Sequence, residues 1–265
     1  MKSAETPTRA VILAAGRGTR LGQLTAELPK VMIELDGHTL LAHQRRSLAA
    51  AGITDVHLVL GHGAEAVKRH PDAQGLTFWH NPDYETTNMV ASLLCAGDLL
   101  DGTSDLIIAY GDIVYEPRLL QALMNLDVPL GVVIDLAWRS YWEARMPDPL
   151  ADAETLRMDK EGHILELGSR PGSYSDIEGQ YTGLIRVSAQ AAPALRARAG
   201  LLVKSDANSF MTALLQDAID DGVRVQSAKV RNGWLEMDTA ADLRLDYGRF
   251  FAAVAESSTG SRGLN

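Results

Sequence analysis

The 265-residue sequence predicts an α/β fold of three layers, a mixed and mainly parallel sheet with helices on both faces. Three observations lead there. Short apolar runs of strand length alternate with helical patterns, as expected for a sheet covered on both sides. The first of these runs is closed by glycine, as buried parallel strands often are. Hydrophobic residues make up 46% of the chain, enough for a substantial core.

The elements follow in order. Arg9–Ala15 reads as a buried strand, followed by a loop over residues 16–29 and a short strand, Val31–Leu35. Thr39–Ala51 is helical: Thr39 suits the cap, Leu40, Leu41, Gln44 and Leu48 keep helical spacing, and Gly52 stops it. Strands are expected at Asp55–Leu60 and Leu76–Trp79, then a helix over Thr87–Leu100 with Asn88 near its start. Asp105–Tyr110 is a central strand running into Gly111-Asp112, followed by a helix at Pro117–Asn125 and a strand at Leu130–Leu136. The pattern then changes, because Leu156–Asp159 and His163–Leu167 flank Lys160-Glu161-Gly162, a hairpin signal. Gln180–Val187 is a further strand and Asn208–Asp220 a long helix. Arg224–Val230 and Trp234–Met237 are extended, and Ala240–Ala255 closes the chain as a helix. This is a Rossmann-like frame in one domain, residues 1–256, with a hairpin-rich insertion around 140–190 and a flexible polar tail, 257–265.

The bulk properties exclude several classes. A formal net charge of −9 disfavours nucleic acid as the main ligand, since phosphate backbones need a basic field. No apolar run reaches membrane-spanning length, and residues 1–9 lack the layout of a signal peptide. The single cysteine, Cys95, rules out an intramolecular disulfide, and a cytoplasmic location is expected. Positive charge gathers locally: Arg17, Arg20 and Lys30 face one acid, Glu27, within residues 16–30.

That segment carries the first chemical signal, Leu-Ala-Ala-Gly-Arg-Gly-Thr-Arg-Leu-Gly over residues 13–22, with Pro29-Lys30 beyond. Glycines straight after a strand let backbone N–H groups approach phosphate oxygens. A dinucleotide fingerprint would need a third glycine where Leu21 stands, although Asp36 lies at a suitable distance for that reading. A P-loop would also need glycine at position 21.

The loop resembles the signature of the nucleotidyltransferase superfamily that activates sugar phosphates, phosphocholine and related metabolites. The resemblance implies that Leu13, Ala14, Ala15, Gly16, Arg17, Gly18 and Thr19 wrap a nucleoside triphosphate. Arg20 and Lys30 would neutralise its phosphates as the catalytic cations. Three further stretches resemble the cytidylyltransferase branch acting on phosphocholine and phosphonates: residues 81–93, 178–184 and 233–238. They imply nucleotide contacts at Asn88 and Ser92, with a helix-cap role for Asn88 as the alternative. They also place Glu178, Gln180 and Tyr181 by the acceptor. Arg170 sits where sugar-phosphate relatives carry lysine, and its fork suits a phosphate or phosphonate. His62, after its strand, is expected to line the base pocket.

Asp112 ends a central strand, where open α/β sheets bind ligands, and a carboxylate there suits Mg²⁺. Asp238 and Glu236 share one face of an extended segment and resemble the superfamily's second acidic site. Asp112, Asp238 and Glu236 are therefore the expected metal ligands, with a helix cap as the alternative for Asp238. Trp138, Tyr141, Trp142, Tyr110, Tyr115, Tyr181 and Trp234 offer either a cation cage or ordinary packing.

The expected enzyme moves a nucleoside monophosphate, CMP from CTP foremost, onto a small phosphorylated or phosphonate metabolite, with Mg²⁺ as cofactor and pyrophosphate leaving. The alternatives are a sugar-1-phosphate nucleotidyltransferase, a silent nucleotide-binding module and, more distantly, a dehydrogenase. A homodimer is in keeping with the resemblance.

Overall fold

The computed structural model describes residues 6–252; the expected tail, 257–265, and the end of the expected last helix lie outside them. The chain opens with β1 (Thr8–Ala14), then a 3-10 segment at Thr19–Thr25 and a single 3-10 turn at Lys30–Met32. A minimal ribbon, β2 (Glu34–Leu35) and β3 (His38–Thr39), leads into α1 (Leu40–Ala50). Next come β4 (Val56–Leu60), α2 (Ala64–Arg69), β5 (Thr77–His80) and α3 (Met89–Cys95). They are followed by β6 (Asp105–Tyr110), β7 (Ile113–Tyr115), α4 (Pro117–Met124) and β8 (Leu130–Asp135). An excursion holds α5 (Trp138–Arg145) and the hairpin β9 (Leu156–Met158) with β10 (Ile164–Leu167). The chain then runs through β11 (Gln180–Val187), α6 (Ala192–Ser205), α7 (Met211–Asp220), β12 (Val225–Val230) and β13 (Trp234–Glu236).

The main sheet has the order β12-β8-β11-β6-β1-β4-β5. β1 pairs in parallel with β4 and β6, β4 with β5, and β8 with β12, while β11 runs against both its neighbours. The expected mixed, mainly parallel sheet is therefore what forms. Alternation along β1 shows why two helical layers are needed. Ala10, Ile12 and Ala14 enter one core with Leu40, Leu41 and Leu48 of α1 and Leu119, Leu120 and Leu123 of α4. Val11, Leu13 and Ala15 enter the other with Val90 and Leu93 of α3, Leu195 of α6 and Leu214 of α7.

The chain builds outward from β1 to β4 and β5, then crosses back to lay β6 on the other side of β1. That reversal opens a crevice at the strands' C-terminal ends, where such sheets bind ligands. The glycine loop leaves β1 there, and Gly111-Asp112 leaves β6 there. The two meet closely, since Gly111 N–H donates to the Leu13 carbonyl at 2.9 Å. A side chain on Gly111 would come within 2.7 Å of that oxygen, so the approach requires glycine.

Several expectations need correction. Residues 31–35 do not form one strand: both edges of β1 are occupied, and Met32 and Ile33 N–H turn back to Pro29 and Lys30 carbonyls. The helix expected to Leu100 stops at Cys95, and a 3-10 turn at Gly97–Leu99 follows. The region around 140–190 holds one hairpin beside a helix, and from Gln180 it rejoins the main sheet. The closing helix from Ala240 does not form within the described residues; only a 3-10 turn, Asp242–Arg244, appears. There Asp242 Oδ2 takes the N–H groups of Asp238 and Thr239 at 3.0 and 2.7 Å, and Leu245 is extended. The alternation did not reveal α2, α5 and α6 as helices, for they are rich in small or charged residues or in aromatics.

The Thr39 cap is present, its hydroxyl accepting from Ala42 N–H at 3.0 Å and donating to Asp72 at 2.7 Å. Thr39→Ala is expected to cost about 1 kcal/mol, a fall in Tm of about 2–4 °C, measured by thermal denaturation.

Candidate active site

Two adjoining pockets occupy the crevice. The first, about 290 Å³, is lined by Leu13, Ala14, Ala15, Gly16, Gly18, Thr19 and Arg20 of the glycine loop with Lys30, Tyr84, Asn88, Ser92 and Asp112. The second, about 240 Å³, has walls from Asp152, Glu154, Gln180, Tyr181, Trp234, Glu236 and Asp238. Arg20, Met89 and Asp112 line both. A larger cavity of about 810 Å³ lies at the opposite end of the sheet, by Asp105 and Arg186. Two of its arginines are already paired, Arg186 with Asp105 at 2.6 Å and Arg198 with Asp217 at 2.6 Å, and no residue of the glycine loop reaches it.

At the junction of the two pockets the Lys30 ammonium donates to Asp112 Oδ2 at 2.9 Å and to Asp238 Oδ1 at 2.5 Å. Arg20 pairs with the other oxygen of Asp238. Burial alone would lower the Lys30 pKa, but Asp112 and Asp238 outweigh it and hold the ammonium above the ordinary lysine value. Gly18 makes room for this lysine. Its φ is +65°, and a Cβ there would stand 2.6 Å from Lys30 Cγ. The lysine stem therefore crosses the glycine loop in contact with its backbone.

A second ribbon fixes the acids. β13 pairs antiparallel with β7, Glu236 opposite Ile113, and Met237 N–H donates to the Asp112 carbonyl at 2.8 Å. Asp112 before β7 and Asp238 after β13 thus reach the same end of the ribbon, although 208 positions separate Lys30 from Asp238. Asp238 is not a helix cap, since the 3-10 turn that follows begins after Ala241, and its carboxylate is left to Lys30 and Arg20.

The remaining expected residues divide. Gly16, Gly18, Thr19 and Ser92 line the first pocket, as does Asn88, which also caps α3 by accepting from Met89 N–H at 2.9 Å. Arg17 points to Glu85 at 3.8 Å and lines neither pocket. His62 Nε2 donates to the Thr25 carbonyl at 3.0 Å, tying the end of β4 to the loop, and lines neither pocket. Gln180 and Tyr181 line the second pocket. Glu178 instead accepts from Met158 N–H at 2.6 Å, and Arg170 is exposed beside the hairpin. Of the aromatic cluster, Trp142, Tyr110, Tyr181 and Trp234 line the second pocket, whereas Trp138, Tyr141 and Tyr115 are core. Tyr84, Asp152, Glu154 and Phe210 were not singled out by sequence; the acidic run over residues 148–154 was the one available signal.

Residues 10–156 match the family model of the MobA-like NTP transferase domain. The chain belongs to this family. A CTP:phosphoglutamine cytidylyltransferase of Campylobacter jejuni is 35% identical over 248 residues, 89% of this chain and 98% of the relative. A CMP-5'-(3-aminopropyl)phosphonate synthase of Streptomyces rubellomurinus is 40% identical over 121 residues, 44% of this chain and 19% of that larger protein. The structure of the CTP:phosphocholine cytidylyltransferase LicC from Streptococcus pneumoniae shares the fold at a TM-score of 0.67, with 18% identity, 90% coverage of this chain and 96% of that one. No helix among the described residues is long and apolar enough to cross a membrane.

In this NTP transferase the three expected metal ligands do not close a ligand sphere by themselves, since the Lys30 ammonium stands between Asp112 and Asp238. Among the described residues, Asp159, Glu161 and His163 at the hairpin turn do bring their donor atoms within 4.8 Å, but there His163 N–H and ring already bind Asp159. Asp112 Oδ1, by contrast, is buried and unpartnered. Oxygen donors of this kind suit Mg²⁺, which needs only one or two carboxylates beside phosphate oxygens.

Glu236 is held by Arg145 at 2.8 Å. Burial pushes its carboxyl up to about 7; Arg145 opposes this, and Asp112, Asp238 and Asp152 add to it. Arg145, 2% exposed, also reaches Asp242 at 3.0 Å. Asp242 stays below the usual carboxylate range because Arg145 overcomes the effect of burial. One guanidinium therefore anchors both ends of the segment bearing Asp238. Arg145→Leu leaves Glu236 and Asp242 without their counter-charge, and an expected loss of about 3–5 kcal/mol would appear in urea denaturation.

Proposed function

We propose that this protein transfers CMP from CTP to a small metabolite carrying a phosphate or phosphonate, releasing pyrophosphate. The observation that carries this reading is the Lys30 ammonium held between Asp112 and Asp238 where the two pockets meet. The Campylobacter and Streptomyces relatives, whose names give CTP or CMP and phospho- or phosphono-compounds, support the base and the acceptor class. Two pockets that share Arg20, Met89 and Asp112 leave room for two ligands to meet.

In this reaction an acceptor oxygen attacks the α-phosphorus of CTP in line. The new P–O bond forms as the bond from the α-phosphorus to the pyrophosphate oxygen breaks. The nucleophile is already an anion near neutral pH, so the difficulty is repulsion between two polyanions rather than proton removal. The glycine loop, Gly16 to Thr19, brings backbone against the triphosphate. Lys30 and Arg20 offset charge on the triphosphate and on the leaving pyrophosphate. Asn88 and Ser92 stand beside the nucleotide, while Gln180 and Tyr181 bound the acceptor. Asp112 and Asp238, with Glu236 nearby, would hold Mg²⁺. The ion would supply charge stabilisation at the transferring phosphoryl group. A cytoplasmic enzyme is part of the same reading, supported by the lone Cys95. So is a homodimer, which light scattering tests.

Pyrophosphate release measured with all four NTPs against phosphocholine, 2-aminoethylphosphonate and hexose 1-phosphates tests the proposal. CTP with a phospho- or phosphono-compound is expected to lead, and a clear preference for a hexose 1-phosphate would replace this reading with nucleotide-sugar synthesis. Chelation by EDTA is expected to stop turnover, with recovery on adding Mg²⁺. Lys30→Ala and Asp112→Ala are each expected to lose about a hundredfold or more in kcat while keeping a native circular-dichroism spectrum.

A further inference from the structure

Asn81 stands behind two residues of the nucleotide pocket's wall, Thr87 and Ser92, and is 2% exposed. Its side-chain carbonyl accepts from Asp83 N–H at 3.0 Å. A backbone N–H can only donate, so this bond settles which end of the amide is oxygen. The Nδ2 group then faces the other way and donates to the Thr87 and Ser92 hydroxyls, each at 3.0 Å.

The two hydroxyls differ in what becomes of their own protons. Thr87 Oγ1 donates to the Asp83 carbonyl at 2.8 Å. Ser92 Oγ receives the amide of Asn81, and among the described residues nothing accepts its proton. Ser92 is 6% exposed and lines the nucleotide pocket. Buried polar groups are ordinarily paired, so the acceptor for this proton is to be sought in the ligand. Tyr84, Thr87, Asn88 and Ser92 line the first pocket alone and carry no charge, whereas Lys30 and Arg20 stand by the glycine loop.

We infer that Asn81 is a positioning residue for base choice: by donating to Ser92 it makes the serine hydroxyl a donor that favours the bare N3 of cytosine over the N3–H of uracil. This rests on the transferase reading above, which lays the triphosphate along the glycine loop and leaves the base to the uncharged end. Cytosine N3 takes the Ser92 proton, and every group in the chain from Asp83 to the base is satisfied. Uracil brings a hydrogen on N3 to a hydroxyl that already spends one lone pair on Asn81. Accepting that hydrogen on the other lone pair strands the serine proton, and an unpaired buried donor is costly. Aspartate at position 81 has the same shape but can only accept. It would draw the Ser92 proton to itself and turn the serine lone pairs toward the base, which reverses the preference.

Binding of CTP and UTP, measured by calorimetry with Mg²⁺ and without an acceptor, tests this. The wild-type protein is expected to bind CTP about tenfold or more tightly than UTP. Ser92→Ala is expected to cut the CTP:UTP ratio about tenfold. Asn81→Asp is expected to cut it by at least as much, with CTP losing affinity and UTP gaining it. The ratio of kcat/KM in pyrophosphate release is expected to follow. Equal binding of the two nucleotides by the wild-type protein would overturn the inference. So would a ratio that survives both substitutions, or an equal loss on both nucleotides, since a purely structural asparagine weakens them alike. Should Asn81→Asp lose its native circular-dichroism spectrum, Ser92→Ala decides. A CTP preference that neither substitution moves leaves the transferase standing and removes only this assignment; a protein that binds neither nucleotide removes both.

Discussion

The site depends on two carboxylates from distant parts of the chain being held on one ammonium at the edge of a parallel sheet. Two acids brought this close repel each other, and partial burial strengthens that repulsion. Lys30 makes the arrangement tolerable, and the fold spends several elements on delivering it. β1 and β6 end side by side, the β7–β13 ribbon aligns Asp112 with Asp238, and a 3-10 turn after Pro29 aims the lysine stem across Gly18. A centre that already balances positive against negative groups is suited to two ligands that are themselves polyanions.

Around this centre the supporting charges are arranged in depth. Arg145 is almost inaccessible, yet through Glu236 and Asp242 it fixes the backbone on either side of Asp238. Tyr141 adds a second tie, its hydroxyl accepting from Glu236 N–H at 2.9 Å and donating to the Glu236 carbonyl at 3.2 Å. The aromatic residues of α5 are thus divided between two tasks: Tyr141 and Trp138 belong to the core that stiffens the acidic segment, and Trp142 reaches the pocket.

Much of this could be read from the residues alone, because the informative signals are local. A strand closed by glycine, a basic residue after proline and an aspartate ending a buried strand each reflect the chemistry of a few neighbouring positions. Thr39 and Asn88 were legible as caps for the same reason. What was not legible depends on tertiary partners. Val31–Ile33 looks like a strand until both edges of β1 are seen to be taken. Ala240 onward looks helical until Asp242 turns its carboxylate back on the preceding amides. His62 and Glu178 looked available for ligands, but the Thr25 carbonyl and the Met158 amide claim them. Glu154 carried no sequence signal of its own, since only the fold brings it to the wall of the second pocket.

Gln180 pairs with Asp135 across β11 and β8, so the excursion between them leaves the sheet and returns to it on the same rung. Extending or trimming a segment whose ends are pinned together changes closure entropy only slowly with length. That segment supplies Trp142, Asp152 and Glu154 to one pocket, whereas the glycine loop, Lys30, Asp112 and Asp238 all arise outside it. The paired charges are thus mounted on the main sheet and the ribbon, while much of one pocket's wall hangs on a loop of chain whose length and composition can change without moving them.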